Sequence, residues 1–217
     1  MANTLSIEHL RKVYGKREVV KDISFSMRGG EIVGLLGPNG AGKTTTFYMI
    51  VGFIANNGGR IAINGIDITD QPMFKRARMG ISYLPQEPSI FRKLSVHDNI
   101  RLVVESRTDI DGKRKDEITN GLIRSFGLTQ ISRQKGYTLS GGERRRTEIA
   151  RCLATSPKFL LLDEPFAGID PKAVYEIKQI IRSLAKFGIG VLLTDHMIDW
   201  NDNLPINFQI IFVGQGI

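Results

Sequence analysis

A glycine-rich segment near the start of the chain has the composition of a phosphate-binding loop. In order, it contains Gly37, Pro38, Asn39, Gly40, Ala41, Gly42, Lys43 and Thr44, and Thr45 follows. This spacing fits G-x-x-x-x-G-K-[ST] and lies between an apolar run and a helix-compatible stretch. The glycines let backbone N–H groups surround a β-phosphate, and a helix start adds its positive dipole end. We therefore expect Lys43 to reach the β- and γ-phosphates of a nucleotide and the Thr44 hydroxyl to ligate Mg²⁺.

Two adjacent carboxylates, Asp163 and Glu164, directly follow the apolar residues 159–162. In open α/β sheets, ligands bind at the carboxyl ends of the strands, which is where this pair would lie. Taken alone, such a pair is often only a solvated strand exit. In a chain with a phosphate loop, we interpret Asp163 as the acid that holds Mg²⁺, directly or through water. Glu164 is then a candidate general base for an attacking water.

A second candidate anion site consists of Leu139, Ser140, Gly141, Gly142 and Glu143. A serine, two glycines and a helical run describe a helix start with exposed amide groups. A plain N-cap explains the serine but leaves the pair of glycines unexplained. Only the first site has a lysine and a metal-binding acid. We therefore predict a head-to-tail dimer, in which this segment of one chain closes over a γ-phosphate held by its partner.

A parallel sheet is needed to position these sites, and the apolar pattern of the chain predicts one. Several apolar runs are continuous and do not alternate, as expected for strands buried on both faces. The predicted strands are residues 5–10, 32–36, 61–63, 81–84, 159–162, 191–194 and 209–213. Residues 95–133 have a helical, polar pattern, and residues 172–187 have an amphipathic stripe. This order predicts a parallel α/β core with a helical insertion.

The composition of the chain narrows the class of protein. Its 217 residues are 41% hydrophobic and 24% charged, which is typical of globular proteins and excludes disordered, collagen-like and coiled-coil chains. No apolar run approaches the ~20 residues of a membrane helix, and no secretory signal is visible. The single cysteine, Cys152, excludes an internal disulfide. We therefore expect a cytoplasmic protein.

The charge of the chain is concentrated in one segment. Residues 71–151 hold 17 Lys and Arg against 9 Asp and Glu, and the other residues are balanced, so this segment carries the whole net charge of +8. Such a basic face fits nucleic acid, phospholipid headgroups or a nucleotide, or is only a solvated surface. Charge alone does not decide among these interpretations.

The motifs taken together resemble those of a known family. The phosphate loop, the Asp163-Glu164 pair and above all Leu-Ser-Gly-Gly-Glu, in that order, resemble the ATP-binding subunit of an ABC transporter, almost continuously over residues 4–196. The resemblance implies ATP and Mg²⁺ as cofactors and an α/β fold: a P-loop NTPase core with a mostly parallel sheet, an N-terminal antiparallel β region and a helical insertion. It implies one domain over 1–217, with a RecA-like core and β subdomain in 1–87 and 156–217. A helical subdomain in 88–155 would carry Leu-Ser-Gly-Gly-Glu (residues 139–143), which we call the signature segment or signature motif.

Further site residues are implied by the same resemblance. Tyr14 stands where the family has an aromatic residue that stacks on adenine, with a core tyrosine as the alternative. Gln86 matches a glutamine that senses Mg²⁺ and the attacking water. Asp170 matches a loop that signals between the paired sites, and His196 matches a histidine that contacts the γ-phosphate.

The resemblance also implies partners. Phe91 and Arg92 match the place where the family docks a short cytoplasmic helix of its membrane subunit. The chain is thus expected to form a homodimer on ATP, to bind two integral membrane subunits and to bind no nucleic acid. It would lie peripherally on the cytoplasmic face of the inner membrane. The basic segment would then face the membrane subunits and the anionic bilayer.

Within the family, residues 83–92, 94–100, 141–150 and 163–170 are most similar to the ATPases that drive lipopolysaccharide export. The ATPases of branched-chain amino-acid importers are the alternative. A soluble ABC ATPase that acts on nucleic acid and a regulator with an inactive site also stay open. After His196 the sequence departs from the family pattern, and the chain is a few tens of residues shorter than typical members. We expect these features to weaken stability or dimerisation, or to reflect truncation.

Overall fold

The computed structural model describes residues 2–195 and 208–213. The first part of the chain supplies an antiparallel sheet of four strands. These are β1 (Thr4–Tyr14), β2 (Arg17–Arg28), β4 (Gly58–Ile63) and β5 (Ile66–Asp67), in the spatial order β2-β1-β4-β5. The resemblance implied such an N-terminal β region, and the prediction is confirmed.

A second sheet is entirely parallel and carries the candidate site. Its strands are β3 (Ile32–Leu36), β6 (Ile81–Leu84), β7 (Phe159–Leu162), β8 (Gly190–Asp195) and β9 (Phe208–Phe212), in the order β6-β7-β8-β3-β9. Leu36 of β3 is level with Asp195 of β8, and Leu162 of β7 is level with Leu193. The carboxyl ends of β3, β7 and β8 therefore meet at one edge. The predicted α/β fold with a parallel core is confirmed.

The helices are α1 (Lys43–Val51), α2 (Met73–Met79), α3 (Val96–Glu105), α4 (Gly112–Ser125), α5 (Gly141–Leu153) and α6 (Pro171–Lys186). Between α3 and α5 the chain forms only helices and two short 3₁₀ turns, at Thr129–Ile131 and Gly136–Thr138, so the predicted helical insertion is confirmed. In the part of the chain that the structure describes, no helix has the length and apolar character needed to span a membrane.

The centre of the parallel sheet is buried on both faces, as strand β7 shows. Leu160 and Leu162 of β7 join an apolar cluster that contains residues of α3, α5 and α6. Phe159 and Leu161 point the other way, into a cluster with α1 and the antiparallel sheet. This arrangement is the reason why the strand reads as a continuous apolar run and does not alternate.

Candidate active site

The phosphate loop connects the end of β3 to the start of α1. The N-cap of α1 is Gly42, which has φ 92° and provides no side-chain cap. The first N–H groups of the helix therefore lack a capping side chain and are available to an anion. At Gly37, a Cβ atom would lie 2.2 Å from the carbonyl oxygen of Val213, so no larger residue fits there.

The loop lysine is held against its own backbone. Lys43 is only 5% exposed. Its Nζ donates to the carbonyl oxygen of Gly37 at 2.6 Å and to that of Pro38 at 3.1 Å. Both acceptors are neutral, so an anionic phosphate oxygen would be a stronger partner for the ammonium group.

A cavity of about 480 Å³ opens over this loop. The predicted residues that line it are Tyr14, Asn39, Gly40, Ala41, Gly42, Lys43, Thr44, Thr45 and Glu164. The ring of Tyr14 is 50% exposed, so the alternative of a core tyrosine is wrong. Arg17 and Val19 also line the cavity, and sequence reasoning missed them. They lie on β2, a strand that the apolar pattern did not predict.

A buried carboxylate lies beside the loop, at the end of β7. Asp163 is 2% exposed. Its Oδ1 accepts a hydrogen bond from Thr194 Oγ1 at 2.6 Å and lies 3.5 Å from Thr44 Oγ1. Its Oδ2 accepts from the Tyr83 hydroxyl at 3.3 Å. The structure thus brings Thr44 and Asp163 together, and it adds two hydroxyl groups that the sequence motifs did not indicate.

Glu164, the next residue, lines the cavity and has an uncommon backbone conformation. Its φ is 43°, in the left-handed region, which costs about 1–2 kcal/mol for a residue other than glycine. The Glu164 N–H donates to Thr194 Oγ1 at 2.9 Å. Thr194 therefore holds both members of the carboxylate pair. Strained backbone of this kind is concentrated at functional sites.

Burial changes the acid–base properties of a neighbouring residue. The pKa of Tyr83 is raised well above that of an ordinary tyrosine, first by burial and then by the negative charge of Asp163. Tyr83 is therefore a neutral phenol whose hydroxyl donates a hydrogen bond to the carboxylate.

A buried ion pair fastens α5 to the ends of two strands. The Arg145 guanidinium donates to the carbonyl oxygens of Pro85, Asp163 and Pro165 at 2.9, 3.2 and 3.2 Å. It also pairs with Glu148 at 3.4 Å. Burial lowers the pKa of Arg145, although an arginine remains charged in proteins.

Glu148 extends this network to the segment after β6. Its Oε1 accepts from the backbone N–H groups of Ser89 and Ile90 at 2.6 and 3.1 Å. Both side chains of the pair are almost fully buried. The helix that follows the signature motif is therefore bound directly to the residues that flank Gln86 and Asp163.

Gln86 itself is exposed and does not line the cavity in the described part of the chain. The structure therefore places Lys43, Thr44 and Glu164 around the cavity, with the buried Asp163 beside Thr44, but leaves Gln86 outside the cavity. His196 lies outside the described residues.

The signature segment forms the start of α5. The Ser140 N–H and hydroxyl donate to Glu143 Oε2 at 2.9 and 2.8 Å, and the Glu143 N–H donates back to Ser140 Oγ, which completes a capping box. At Gly142, a Cβ would lie 2.6 Å from that of Ala173, so close packing of α5 on α6 accounts for this glycine. A Cβ at Gly141 would lie no closer than 3.8 Å to the nearest atom, the Gly168 carbonyl oxygen, so packing does not require a glycine there. Neither these residues nor Leu139 line the cavity of their own chain.

Asp170 caps α6, because its side chain accepts from the Ala173 N–H at 3.0 Å. A structural role therefore accounts for an aspartate at this position. Since Ala173 also packs against Gly142, the loop of Asp170 and the signature segment are neighbours.

Phe91 and Arg92 lie on the surface beside an apolar groove of about 490 Å³. Phe91 is 49% exposed and its ring lies 5.2 Å from the guanidinium carbon of Arg151, which also lines the groove. The buried Asn99 fixes the loop: it accepts from the Phe91 N–H at 2.9 Å and donates to the carbonyl oxygens of Phe91 and Ser95 at 3.1 and 2.9 Å.

Known proteins share both the sequence and the fold of this chain. LptB, the lipopolysaccharide export system ATP-binding protein of Escherichia coli K12, is 51% identical over 213 residues, which are 98% of this chain and 88% of that protein. The protein of the same name from Haemophilus influenzae is 51% identical over 212 residues, 98% of this chain and 87% of that protein. A crystal structure of an ATP-binding cassette of an ABC transporter in its ADP conformation has a TM-score of 0.81 and 27% identity, covering 91% of this chain and 82% of that one.

The family model described as "ABC transporter" matches residues 20–167. These residues include the phosphate loop, the signature segment and the carboxylate pair. They make up more than half of the chain, which therefore belongs to the ABC transporter family as one of its ATP-binding subunits.

Proposed function

We propose that this chain hydrolyses ATP to drive the export of lipopolysaccharide from the inner membrane. The observation that carries the catalytic part is the buried Asp163 carboxylate beside the Thr44 hydroxyl, at the start of a helix with an uncapped phosphate loop. The substrate is supported by the identity of 51% to two lipopolysaccharide export ATPases over nearly the whole chain.

ATP occupies the cavity over the phosphate loop. Its phosphates accept from the N–H groups of the loop and of the start of α1, and Lys43 turns from its backbone carbonyls to the β- and γ-phosphates. Adenine stacks on the exposed ring of Tyr14. The Lys12 ammonium, which lies 5.0 Å from the centroid of that ring, adds positive charge near this end of the cavity.

The residues around Asp163 fit Mg²⁺. The donors are the Thr44 hydroxyl and a buried carboxylate, which are hard oxygen ligands. The described residues contain no group of three or more His, Cys, Asp or Glu side chains that could hold a metal ion. This agrees with Mg²⁺, because the ion is usually bound by one or two protein oxygens together with substrate phosphates and water. When bound, Mg²⁺ would neutralise charge on the phosphates, and Gln86 would be a further ligand.

Glu164 is the general base. Its left-handed backbone places the residue in the wall of the phosphate cavity, where its carboxylate takes a proton from the attacking water. Gln86 orients that water once the site closes, which requires Gln86 to move from its exposed position. His196 positions the γ-phosphate.

Closure requires a second copy of the chain. None of the signature residues lines the cavity of its own chain: Leu139, Ser140, Gly141, Gly142 and Glu143. Ser140 and Gly141 are exposed at the start of α5 and are available to the ATP of a partner. The γ-phosphate then bridges two chains and ADP lacks that bridge, which gives the difference in affinity that drives closure and reopening. Asp170, next to the signature segment, signals between the two sites.

The membrane subunits dock at the groove beside Phe91 and Arg92. Arg92 and Lys93 are exposed basic residues in the loop beside the groove, and Arg133 and Lys135 are exposed in a neighbouring segment. None of the four has an ion-pair partner within the described residues. Tyr137 N–H donates to the Arg92 carbonyl oxygen, so the two basic segments are held together. Such a surface suits the membrane side of a peripheral protein on the cytoplasmic face. The helical subdomain of residues 88–155 would then carry both this surface and the signature segment.

The proposal is tested with a tagged Glu164→Gln chain in its native host. We expect this variant to bind ATP, to form a long-lived dimer and to lose about 10²–10⁴-fold in turnover, the usual contribution of a general base. Near-normal hydrolysis would refute the role of Glu164. Lys43→Ala, which should bind ATP at least about tenfold more weakly, is the matched control.

The same variant identifies the transporter. Purified with ATP from gently solubilised membranes and analysed by mass spectrometry, it should bring with it two membrane subunits of a lipopolysaccharide exporter. Recovery of amino-acid permease subunits would be consistent with a transporter ATPase but would refute lipopolysaccharide as the transported substrate. Co-purification of nucleic acid or ribosomal proteins, without any membrane protein, would refute the role in a transporter.

A further inference from the structure

We propose that Tyr83 is a positioning residue that connects occupancy of the apolar groove to the metal-binding carboxylate Asp163. The inference rests on the proposed function, because it takes Asp163 as the Mg²⁺ acid and the groove as the place where a membrane subunit docks. Its own content is a physical link between the two, made by one side chain.

The Tyr83 ring forms part of the groove wall. It makes edge-on contacts with Tyr48 and Phe53, with ring centroids 6.2 and 5.7 Å apart. Phe53 is 51% exposed and Tyr48 36%, so a helix that fills the groove covers these two rings first. Because Tyr83 is in edge contact with both rings, a displacement of Phe53 or Tyr48 on docking also displaces Tyr83.

The other end of the same side chain touches the catalytic site. The Tyr83 hydroxyl donates to Asp163 Oδ2, while Thr194 donates to Oδ1. The two hydroxyl groups therefore fix the orientation of the carboxylate, as outer-shell hydrogen bonds do for metal ligands in general. Thr194 lies deep in the parallel sheet, whereas Tyr83 is the one of the two that also lines the groove.

The hydrogen bond from Tyr83 has room to shorten. Its length is 3.3 Å, whereas O–H···O bonds are usually 2.5–3.0 Å. The bond from Thr194, at 2.6 Å, is already short. A small displacement of the Tyr83 ring on docking therefore strengthens one of the two bonds that orient Asp163 and leaves the other unchanged.

Tyr83→Phe tests the link, because it removes the hydroxyl and keeps the ring. The binding of Mn²⁺ is measured by electron paramagnetic resonance, with a non-hydrolysable ATP analogue on the full chain. We expect Mn²⁺ to bind about tenfold more weakly, the lower end of the usual effect of losing an outer-shell partner. The affinity for the nucleotide in EDTA should not change. Equal Mn²⁺ affinity in both proteins, or an equal loss in EDTA, would overturn the proposal.

Ser82→Ala is the matched control. Ser82 is the neighbour of Tyr83 on β6, and its hydroxyl donates to the Cys152 carbonyl oxygen and not to the site. Mn²⁺ binding should not change in this variant. If it falls as far as in Tyr83→Phe, a general disturbance of β6 explains the loss and the proposal fails.

The connection to the groove is tested in the complex with the membrane subunits. In the unmodified complex, we expect half-maximal hydrolysis at a lower Mg²⁺ concentration than in the isolated chain. Tyr83→Phe should still co-purify with the subunits and lose this shift. An unaltered shift in Tyr83→Phe, or no shift in the unmodified complex, would contradict the link. If the unmodified chain shows no Mg²⁺-dependent ATP binding, the proposed function itself is refuted.

Discussion

Replacing Arg145 with methionine should strongly destabilise the chain. The substitution keeps an apolar stem but leaves the buried Glu148 carboxylate without its cation and three carbonyl oxygens without their donor. Removing one partner of a buried ion pair costs about 3–5 kcal/mol. No discount for solvent applies, because the side chains of Arg145 and Glu148 are only 6% and 2% exposed. For a chain of this size, the melting temperature should fall by about 6–20 °C.

Thermal and urea unfolding of the full chain measure this effect, with Arg144→Met as the control. Arg144 precedes Arg145 on the same helix, and its hydrogen bond to the Leu139 carbonyl oxygen is long, at 3.5 Å. Arg144 is half-buried and forms no ion pair with the described residues, so that control should lose less than about 1 kcal/mol. Adding Glu148→Gln to Arg145→Met removes the stranded charge and keeps an oxygen for the N–H groups of Ser89 and Ile90. The double variant should therefore be more stable than Arg145→Met alone.

Two results would refute this reasoning. If Arg145→Met is no less stable than Arg144→Met, the buried pair does not fasten α5 to the strand ends. If the effects of Arg145→Met and Glu148→Gln simply add, the two side chains do not interact, and the loss comes from the carbonyl contacts alone.

The remaining predictions concern the loop and the groove. Lys43→Ala should weaken ATP binding at least about tenfold, since hydrogen bonds from a charged group are worth about 1.5–3 kcal/mol, and unchanged affinity by calorimetry would exclude the loop as the nucleotide site. Gly42→Ala should lower the free energy of unfolding by about 1–2 kcal/mol, because alanine is strained at this positive φ. The new Cβ would also lie 2.7 Å from the Val19 carbonyl oxygen, which adds to the loss, and an unchanged urea midpoint would contradict this. Asn99→Ala should lower the free energy of unfolding by about 1–3 kcal/mol and release the loop of Phe91, so that fewer membrane subunits co-purify. Asp98→Ala changes the exposed neighbour, and membrane subunits should still co-purify with it.

Local patterns in the sequence predicted much of the fold. The buried strands β3 and β7 are continuous runs without a polar side chain, β6 is apolar apart from Ser82, and the helical insertion has a clear polar pattern. Strand β2 was missed because only Val20, Ile23 and Met27 along it are buried, and irregular register with β1 breaks the alternation that would identify a half-buried strand.

The catalytic centre was predictable to the extent that strand ends and motifs define it. Asp163 and Glu164 could be placed near Lys43, because parallel strands bring their carboxyl ends to one edge. The hydroxyl groups of Tyr83 and Thr194 could not be placed. Their contacts with Asp163 bridge 80 and 31 residues of chain and depend on side-chain packing, for which no periodic pattern exists.

The order of strands in the parallel sheet has a consequence for synthesis. Strand β3, which holds the phosphate loop, pairs with β8 on one side and β9 on the other, and about 150 residues separate β3 from β8. At about 5–20 residues per second on the ribosome, β3 waits roughly 8–30 s before its first neighbour is made. During that interval its backbone has no neighbouring strand to pair with. The nascent chain is therefore exposed to mispairing and to chaperones for as long as the nucleotide site is unfinished.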